Sequence, residues 1–165
     1  MKAFKCPVCG DIHNYKVIEF PTFARIDGTE LPYTGVTYEC DKCSEITADA
    51  RARINEINAI RIKEARRAIK GLLTAHQIKE LRKNKLHLSV GDLALIIGIG
   101  EASLKRYEVA GGNWQNGCVD SLFRMFDRDL RSLLFCLECQ KAAFSADQYM
   151  KLKDHIICLI ENNEN

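Results

Sequence analysis

The chain has 165 residues, of which 47% are apolar and 28% charged. This composition folds into one ordinary domain or two small ones and excludes a wholly disordered or fibrous chain. No stretch approaches the roughly 20 uninterrupted apolar residues of a membrane span, and the opening Met1-Lys2-Ala3-Phe4-Lys5-Cys6 lacks the apolar run of a signal peptide, so a soluble cytoplasmic protein is expected.

The net charge of +2 hides a division along the chain: residues 1–50 carry 5 basic and 8 acidic side chains, residues 51–110 carry 13 and 6, and residues 111–165 carry 6 and 8. Only the middle segment suits a polyanion. The eight cysteines are expected to be reduced in the cytosol, so metal binding or burial must account for them.

At the N-terminus, Cys6-Pro7-Val8-Cys9-Gly10 and Cys40-Asp41-Lys42-Cys43 are two Cys-x-x-Cys knuckles. Each two-residue spacer lets both sulfurs turn towards one ion, and Gly10 suits the left-handed backbone of such a knuckle. Together Cys6, Cys9, Cys40 and Cys43 supply four thiolates, the closed tetrahedral shell of a structural Zn²⁺ site. Val17–Phe20 and Gly35–Glu39 read as strands, with Asp27-Gly28 as the hairpin turn between them. Residues 1–46 are therefore expected to form a small β-ribbon pinned by zinc, with metal supplying much of its folding free energy. His13 is expected at the surface. An iron-thiolate electron carrier is the rival reading of the first knuckle, but the second lacks the proline and glycine that such centres carry. Unligated core cysteines are the other alternative.

Residues 47–72 show a helical pattern, with Ile54, Ile57, Ala65, Ile69 and Leu72 recurring at threes and fours, Thr47 as its cap and Gly71 as its end. Its other face carries Arg51, Arg53, Arg61, Lys63, Arg66, Arg67 and Lys70. Two readings stand for that face: a contribution to nucleic-acid binding, or a solvated surface joining two domains.

Residues 73–126 carry the most specific pattern. Thr74-Ala75-His76-Gln77 is a capping-box start for a helix with Ile78, Leu81 and Leu86 on one side and Lys79, Arg82, Lys83 and Lys85 on the other. A second start at Ser89, with Asp92 three residues on, leads into Leu93, Ala94, Ile97, Gly98, Ile99, Leu104 and Tyr107. These supply a small residue for a helix crossing, a glycine for a tight turn and apolar anchors under a second helix, as a helix-turn-helix requires.

The run Ser89-Val90-Gly91-Asp92-Leu93-Ala94-Leu95-Ile96-Ile97-Gly98-Ile99, followed by Ala102-Ser103-Leu104-Lys105-Arg106-Tyr107-Glu108, resembles the Cro/repressor (XRE) class of DNA-binding domains. With the cysteine knuckles in front, residues 4–126 resemble an MqsA-type antitoxin, whose family carries a YgiT-type zinc finger. The resemblance implies a zinc domain that grips a toxin and an XRE-like domain that dimerises and represses its own operon from a palindromic site. On a recognition helix from Glu101 to Val109, Leu104 and Tyr107 face the core, so Ala102, Ser103, Lys105 and Arg106 face DNA. Arg106 occupies the place of the arginine preceding Tyr-Glu in the family pattern, and its planar fork suits guanine. Ser89, Arg82, Lys83 and Lys85 are expected to hold phosphates. Trp114, in the Gly111–Trp114 loop, is expected to pack under the following helix, and Cys118 to be buried.

Residues 127–165 extend beyond that resemblance. Leu130, Leu133, Leu134 and Leu137 form one helical stripe, and Ser145 to Glu161, opening with Ser145-x-x-Gln148, form another. Cys136-x-x-Cys139 and His155-x-x-Cys158 also match zinc-ligand spacing, which makes a second metal site the alternative to simple core packing.

The expectation is thus a mainly α-helical chain with a small zinc-bound β-ribbon (1–46), a connecting basic helix (47–72), an XRE-like helix-turn-helix domain (73–126) and a C-terminal helical extension (127–165). Its expected role is a DNA-binding transcriptional repressor acting as a homodimer, with Zn²⁺ as a structural cofactor and double-stranded DNA as partner. Two alternatives stand beside it: a toxin-neutralising module in which Asp11, Glu19, Asp27 and Glu30 steer a basic toxin, and a stand-alone or phage regulator. No Ser-His-Asp order, phosphate loop or carboxylate pair points to an enzyme.

Overall fold

The computed structural model describes residues 4–13, 15–46 and 48–163. Thr47, the expected helix cap, lies outside the described residues, as do the side chains of His13 and Arg51. Two compact units divide the chain, Met1–Ile69 and Lys70–Asn165. The chain is mainly helical, and among the described residues no helix is long and apolar enough to cross a membrane.

The first unit begins with two short antiparallel strands, β1 (Phe4–Lys5) and β2 (Ile12–His13). A long antiparallel hairpin follows, β3 (Tyr15–Ile26) and β4 (Thr29–Cys40), and then helix α1 (Ala48–Ile69). Asp27 and Gly28 have φ of 50° and 79°, the pair of positive values that a two-residue hairpin turn requires and that Asp-Gly tolerates. Both strands run well past the expected Val17–Phe20 and Gly35–Glu39, through Pro21 and Pro32.

The register explains why those prolines are harmless. From the Ile26–Thr29 pair at the turn, hydrogen-bonded and non-hydrogen-bonded pairs alternate, so that the pairs Glu19–Val36, Pro21–Thr34 and Phe23–Pro32 turn their backbone groups outward. A missing N–H at an outward position removes no ladder bond. On the β4 edge the outward groups are taken by α1. The Asn58 side chain accepts from Val36 N–H at 2.8 Å and donates to the Val36 carbonyl at 3.1 Å, and Arg61 donates to the Thr34 carbonyl at 2.9 Å. The helix thereby covers an edge that would otherwise invite strand pairing.

Arg61 also pairs with Glu19, and Arg66 with Asp27, while Arg67 is fully buried with Glu64 3.7 Å away. Three of the basic residues assigned to a polyanion-binding or solvated face are therefore committed to structure inside this unit.

The second unit is built of α2 (Ala75–Glu80), a π-helical turn continuing it (Leu81–Lys85), α3 (Val90–Ile96), α4 (Glu101–Tyr107), α5 (Gly117–Arg128), α6 (Leu130–Cys139) and α7 (Ala146–Asn163). Thr74 and Gln77 form the expected capping box, each satisfying the other's backbone N–H. At the end of α3 the Ile99 N–H bonds Ala94 O at 2.9 Å and the Gly98 N–H bonds Leu95 O at 3.1 Å. With Gly98 at φ 70° this is a Schellman stop, which turns the chain sharply into α4.

One core spans the unit: Ile78, Leu93, Leu104, Phe123 and Phe126 pack with Leu133, Leu137 and Ile156, all fully buried. Residues 127–165 thus share the interior of 73–126. Asp120 ties the start of the unit to α5, accepting from Leu73 N–H, Gln115 and Arg124, each at 2.7 Å. Burial alone would raise its pKa, but the Arg124 guanidinium and the donors from Leu73 and Gln115 hold it below the usual carboxylate range. Trp114 is half-buried with Lys70 Nζ 5.2 Å from its ring centroid, and Cys118 is exposed rather than buried, on the outer face of α5.

A chain ending at Asp129 removes Leu130, Leu133, Leu137, Tyr149, Leu152 and Ile156 from this core. Each buried side chain of that size contributes about 1.5–3 kcal/mol, so near-UV circular dichroism of the truncated chain should show no cooperative transition for residues 70–129. A sharp transition near that of the full chain would contradict a shared core.

Candidate functional site

The chain has two candidate sites, one in each unit. In the first unit, β1 and β2 carry the first knuckle, and the end of β4 carries the second. The knuckles fold alike: the Cys6 N–H bonds Asp11 O and the Gly10 N–H bonds Cys6 O, both at 2.9 Å, while the Cys40 N–H bonds Glu45 O and the Ser44 N–H bonds Cys40 O, both at 3.0 Å. Gly10 has φ 77° and Ser44, in the equivalent place, φ 59°. The second knuckle therefore adopts the left-handed residue without the glycine.

The four sulfurs of Cys6, Cys9, Cys40 and Cys43 lie within 4.8 Å of one another, with Cys6–Cys43 at 3.5 Å and Cys9–Cys40 at 3.8 Å. A tetrahedral ion with metal–sulfur bonds of about 2.3 Å requires sulfurs about 3.8 Å apart, so the set fits a metal with little adjustment. Without a cation the four thiols titrate apart. The Cys9 N–H and other donors lower Cys6 to about 7, and backbone donors led by Lys42 lower Cys40. Desolvation leads the rise of Cys9. Cys43 is pushed up to about 12: the backbone donor at Glu45 lowers it, but desolvation and the three neighbouring sulfurs outweigh that donor. A divalent ion would supply the positive charge that favours the thiolate at all four.

A metal at these cysteines would also have a folding role to fill. Among the described residues this unit buries four apolar side chains, Cys6, Leu31, Val36 and Cys40, against eighteen in the second unit. Half of its small core is cysteine.

The second metal set, the alternative to core packing for Cys136, Cys139, His155 and Cys158, is not brought together. Among the described residues the first four cysteines form the one group of three or more potential ligands. The Glu138–Lys153 ion pair at 3.0 Å places these two residues opposite one another between α6 and α7. Cys158 lies five residues beyond Lys153 and Cys139 one residue beyond Glu138 in the opposite direction, so the two are offset by roughly 9 Å along the helices. Cys139 and Cys158 are exposed, and His155 Nε2 donates to the Leu86 carbonyl at 2.9 Å. Cys136 is half-buried, and burial raises its thiol pKa, with Cys139 adding to the rise.

The second candidate is the surface of α3 and α4. Ala102, Lys105 and Arg106 are exposed, Ser103 is half-buried and Leu104 fully buried, so α4 presents the expected face. Arg106 makes no side-chain hydrogen bond or ion pair among the described residues, while Lys105 pairs with Glu101 at 2.6 Å.

Of the expected phosphate contacts, Lys83 is exposed and the others are engaged. Arg82 is buried. It donates to both Glu108 oxygens, at 2.5 and 2.7 Å, and to the Leu88 carbonyl at 2.9 Å, and Glu108 raises its pKa further. Its role is structural because its fork joins the π-helical turn, the loop before α3 and the end of α4. Lys85 pairs with Asp127. The Ser89 hydroxyl caps α3, accepting from the Asp92 N–H at 3.0 Å and donating to Asp92 Oδ2 at 2.6 Å.

The sequence does not mark Asn58, nor the tertiary partners of Glu108 and Gln148, because those partners lie far along the chain. No protein-family model, curated protein or solved structure matches this chain.

Two outcomes follow. Elemental analysis of the purified chain should give one metal ion, lost in Cys40→Ser and retained when Cys136, Cys139 and Cys158 are all replaced by serine; loss in the triple variant would place the metal elsewhere. Arg82→Ala leaves Glu108 and the Leu88 carbonyl without their partner, which for a buried pair costs about 3–5 kcal/mol. Denaturant melts should show that loss, and wild-type stability would return Arg82 to the surface.

Proposed function

We propose that the chain is a sequence-specific DNA-binding regulator in which α3 and α4 form a helix-turn-helix, α4 reads the major groove, and the first unit is a structural zinc module. The observation that carries this reading is the contrast along one short helix. Leu104 is fully buried while Ala102, Lys105 and Arg106 are exposed, and Arg106 is the exposed guanidinium of α4 without a partner among the described residues. An arginine held at a helix surface by a fixed framework is the side chain best suited to guanine O6 and N7. Ala102 complements it, because an alanine in the groove can meet a thymine methyl.

The Schellman turn at Gly98 and the small Ala94, 1% exposed at the crossing with α4, support the helix-turn-helix. One seven-residue helix reaches only three or four base edges, so two copies on a two-fold operator supply the specificity that one lacks. Zinc is favoured over iron by the closed four-thiolate shell and by Cys40-Asp41-Lys42-Cys43-Ser44, which lacks the proline and glycine of an iron knuckle.

A second reading, protein binding through the first unit in the manner of an antitoxin, is favoured by one observation. Val17 and Phe23, on one face of β3, are 46% and 56% exposed, beside exposed Pro21 and Pro32. The acidic residues expected to steer a basic toxin support it less: Asp11, Glu19, Asp27 and Glu30 pair with Lys42, Arg61, Arg66 and Arg25. A partner on this unit would meet an apolar surface rimmed by neutralised charges.

The DNA reading is tested on a duplex enriched from a random pool by the wild-type chain. Arg106→Ala should lose about 1–3 kcal/mol on that duplex and far less on a scrambled one. Equal losses on both would remove Arg106 as a base reader.

A further inference from the structure

The C-terminal helices carry polar side chains that the core does not need. Gln148 stands at the third position of α7, three residues after Ser145. In a capping box its side chain would return to the Ser145 backbone. Only half of that box forms: the Gln148 N–H bonds the Ser145 hydroxyl at 3.2 Å, and the Gln148 amide donates instead to Asp92 Oδ1 at 2.9 Å. Asp92 holds the Ser89 hydroxyl with its other oxygen at 2.6 Å. The result is a relay from α7 through Asp92 to the residue that starts α3.

Two further contacts bracket the same helix. His155 Nε2 donates to the Leu86 carbonyl in the segment leading into α3. At the other end, the Gln140 amide nitrogen lies 3.2 Å from where a Cβ on Gly98 would stand. The extension thus touches α3 before its start, in its first turn and at its stop. A requirement for packing alone would be met by Leu133, Leu137 and Ile156, without an amide aimed at a carboxylate.

We propose that Gln148 is a positioning residue for DNA reading, holding Asp92 against Ser89 so that the first turn of α3, and through the Gly98 turn the α4 surface, keep one orientation. This rests on the DNA-binding reading above. The physical basis is that a hydrogen bond to a carboxylate is stronger and more directional than one between neutral groups. A misplacement of a framework helix is read most sharply by contacts to base edges, since phosphate attraction is tolerant of geometry.

The test uses the full-length metal-bound chain with the duplex enriched from a random pool, and a scrambled duplex of equal length. Gln148→Ala should weaken binding to the enriched duplex about tenfold, equivalent to ~1.4 kcal/mol, with scrambled-duplex binding within about twofold. Gln148→Glu sets two carboxylates together and should weaken it further. Adding Asp92→Asn to Gln148→Glu restores a donor and an acceptor in reversed order and should recover most of the lost affinity.

Recovery of selective binding without a matching recovery of melting temperature separates positioning from simple stabilisation. Equal affinity of Gln148→Ala and wild type for the enriched duplex, parallel losses on both duplexes, or no recovery in the reversed pair would overturn the positioning role. Failure of the wild-type chain to enrich any duplex would overturn the DNA reading itself.

Discussion

The buried pair of Arg82 and Glu108 is the constraint on which the second unit is arranged. A guanidinium in a nearly dry interior must spend its donors. Arg82 spends them on the two Glu108 oxygens and on the Leu88 carbonyl, three groups from the end of α4 and the loop before α3. Both side chains are about nine-tenths buried, so their separation would leave a charge without water or partner. That penalty fixes the far end of α4 against the chain entering α3, while the Schellman turn at Gly98 fixes its near end. A short helix held at both ends can present Lys105 and Arg106 in a constant direction without a large surface of its own.

The first unit solves the opposite problem. It has little interior to work with, and its hairpin is a ribbon with two edges. Covalent geometry does part of the task through the Asp27-Gly28 turn, and α1 does another part by donating Asn58 and Arg61 to the outer edge of β4. What remains is the base of the ribbon, where four sulfurs converge. The paired charges along this unit follow from the same economy of core: where few apolar groups are buried, ion pairs such as Arg61–Glu19 and Arg66–Asp27 tie helix to hairpin, though each contributes modestly at a partly exposed surface.

Local signals in the sequence were strong wherever the cause was local. Two Cys-x-x-Cys spacings, the Asp-Gly turn, the Thr74–Gln77 box, Gly98 and the apolar anchors of α3 and α4 each carry their own reason within a few residues. The strands run past Val17–Phe20 and Gly35–Glu39 because the cost of Pro21 and Pro32 depends on a register that only the partner strand sets. Arg82 reads from the sequence as a phosphate contact because its partner lies twenty-six residues away, and nothing in the spacing marks Glu108 as buried. The Cys136, Cys139, His155 and Cys158 set shows the converse: the spacing suits a metal, but the register of two antiparallel helices, marked here by the Glu138–Lys153 pair, decides whether the side chains meet. Gln148 was visible as a cap, and its tertiary use was not.

We propose that the exposed face of α4 is the surface that meets DNA. The most direct measurement is a solution NMR titration of the isotope-labelled, metal-bound chain with duplex DNA, followed residue by residue. The account predicts the largest perturbations at Ala102, Ser103, Lys105 and Arg106, with smaller ones at the first turn of α3, and little change along β3 and β4. Perturbations concentrated on the ribbon of the first unit, or none on α4 at saturating duplex, would contradict it.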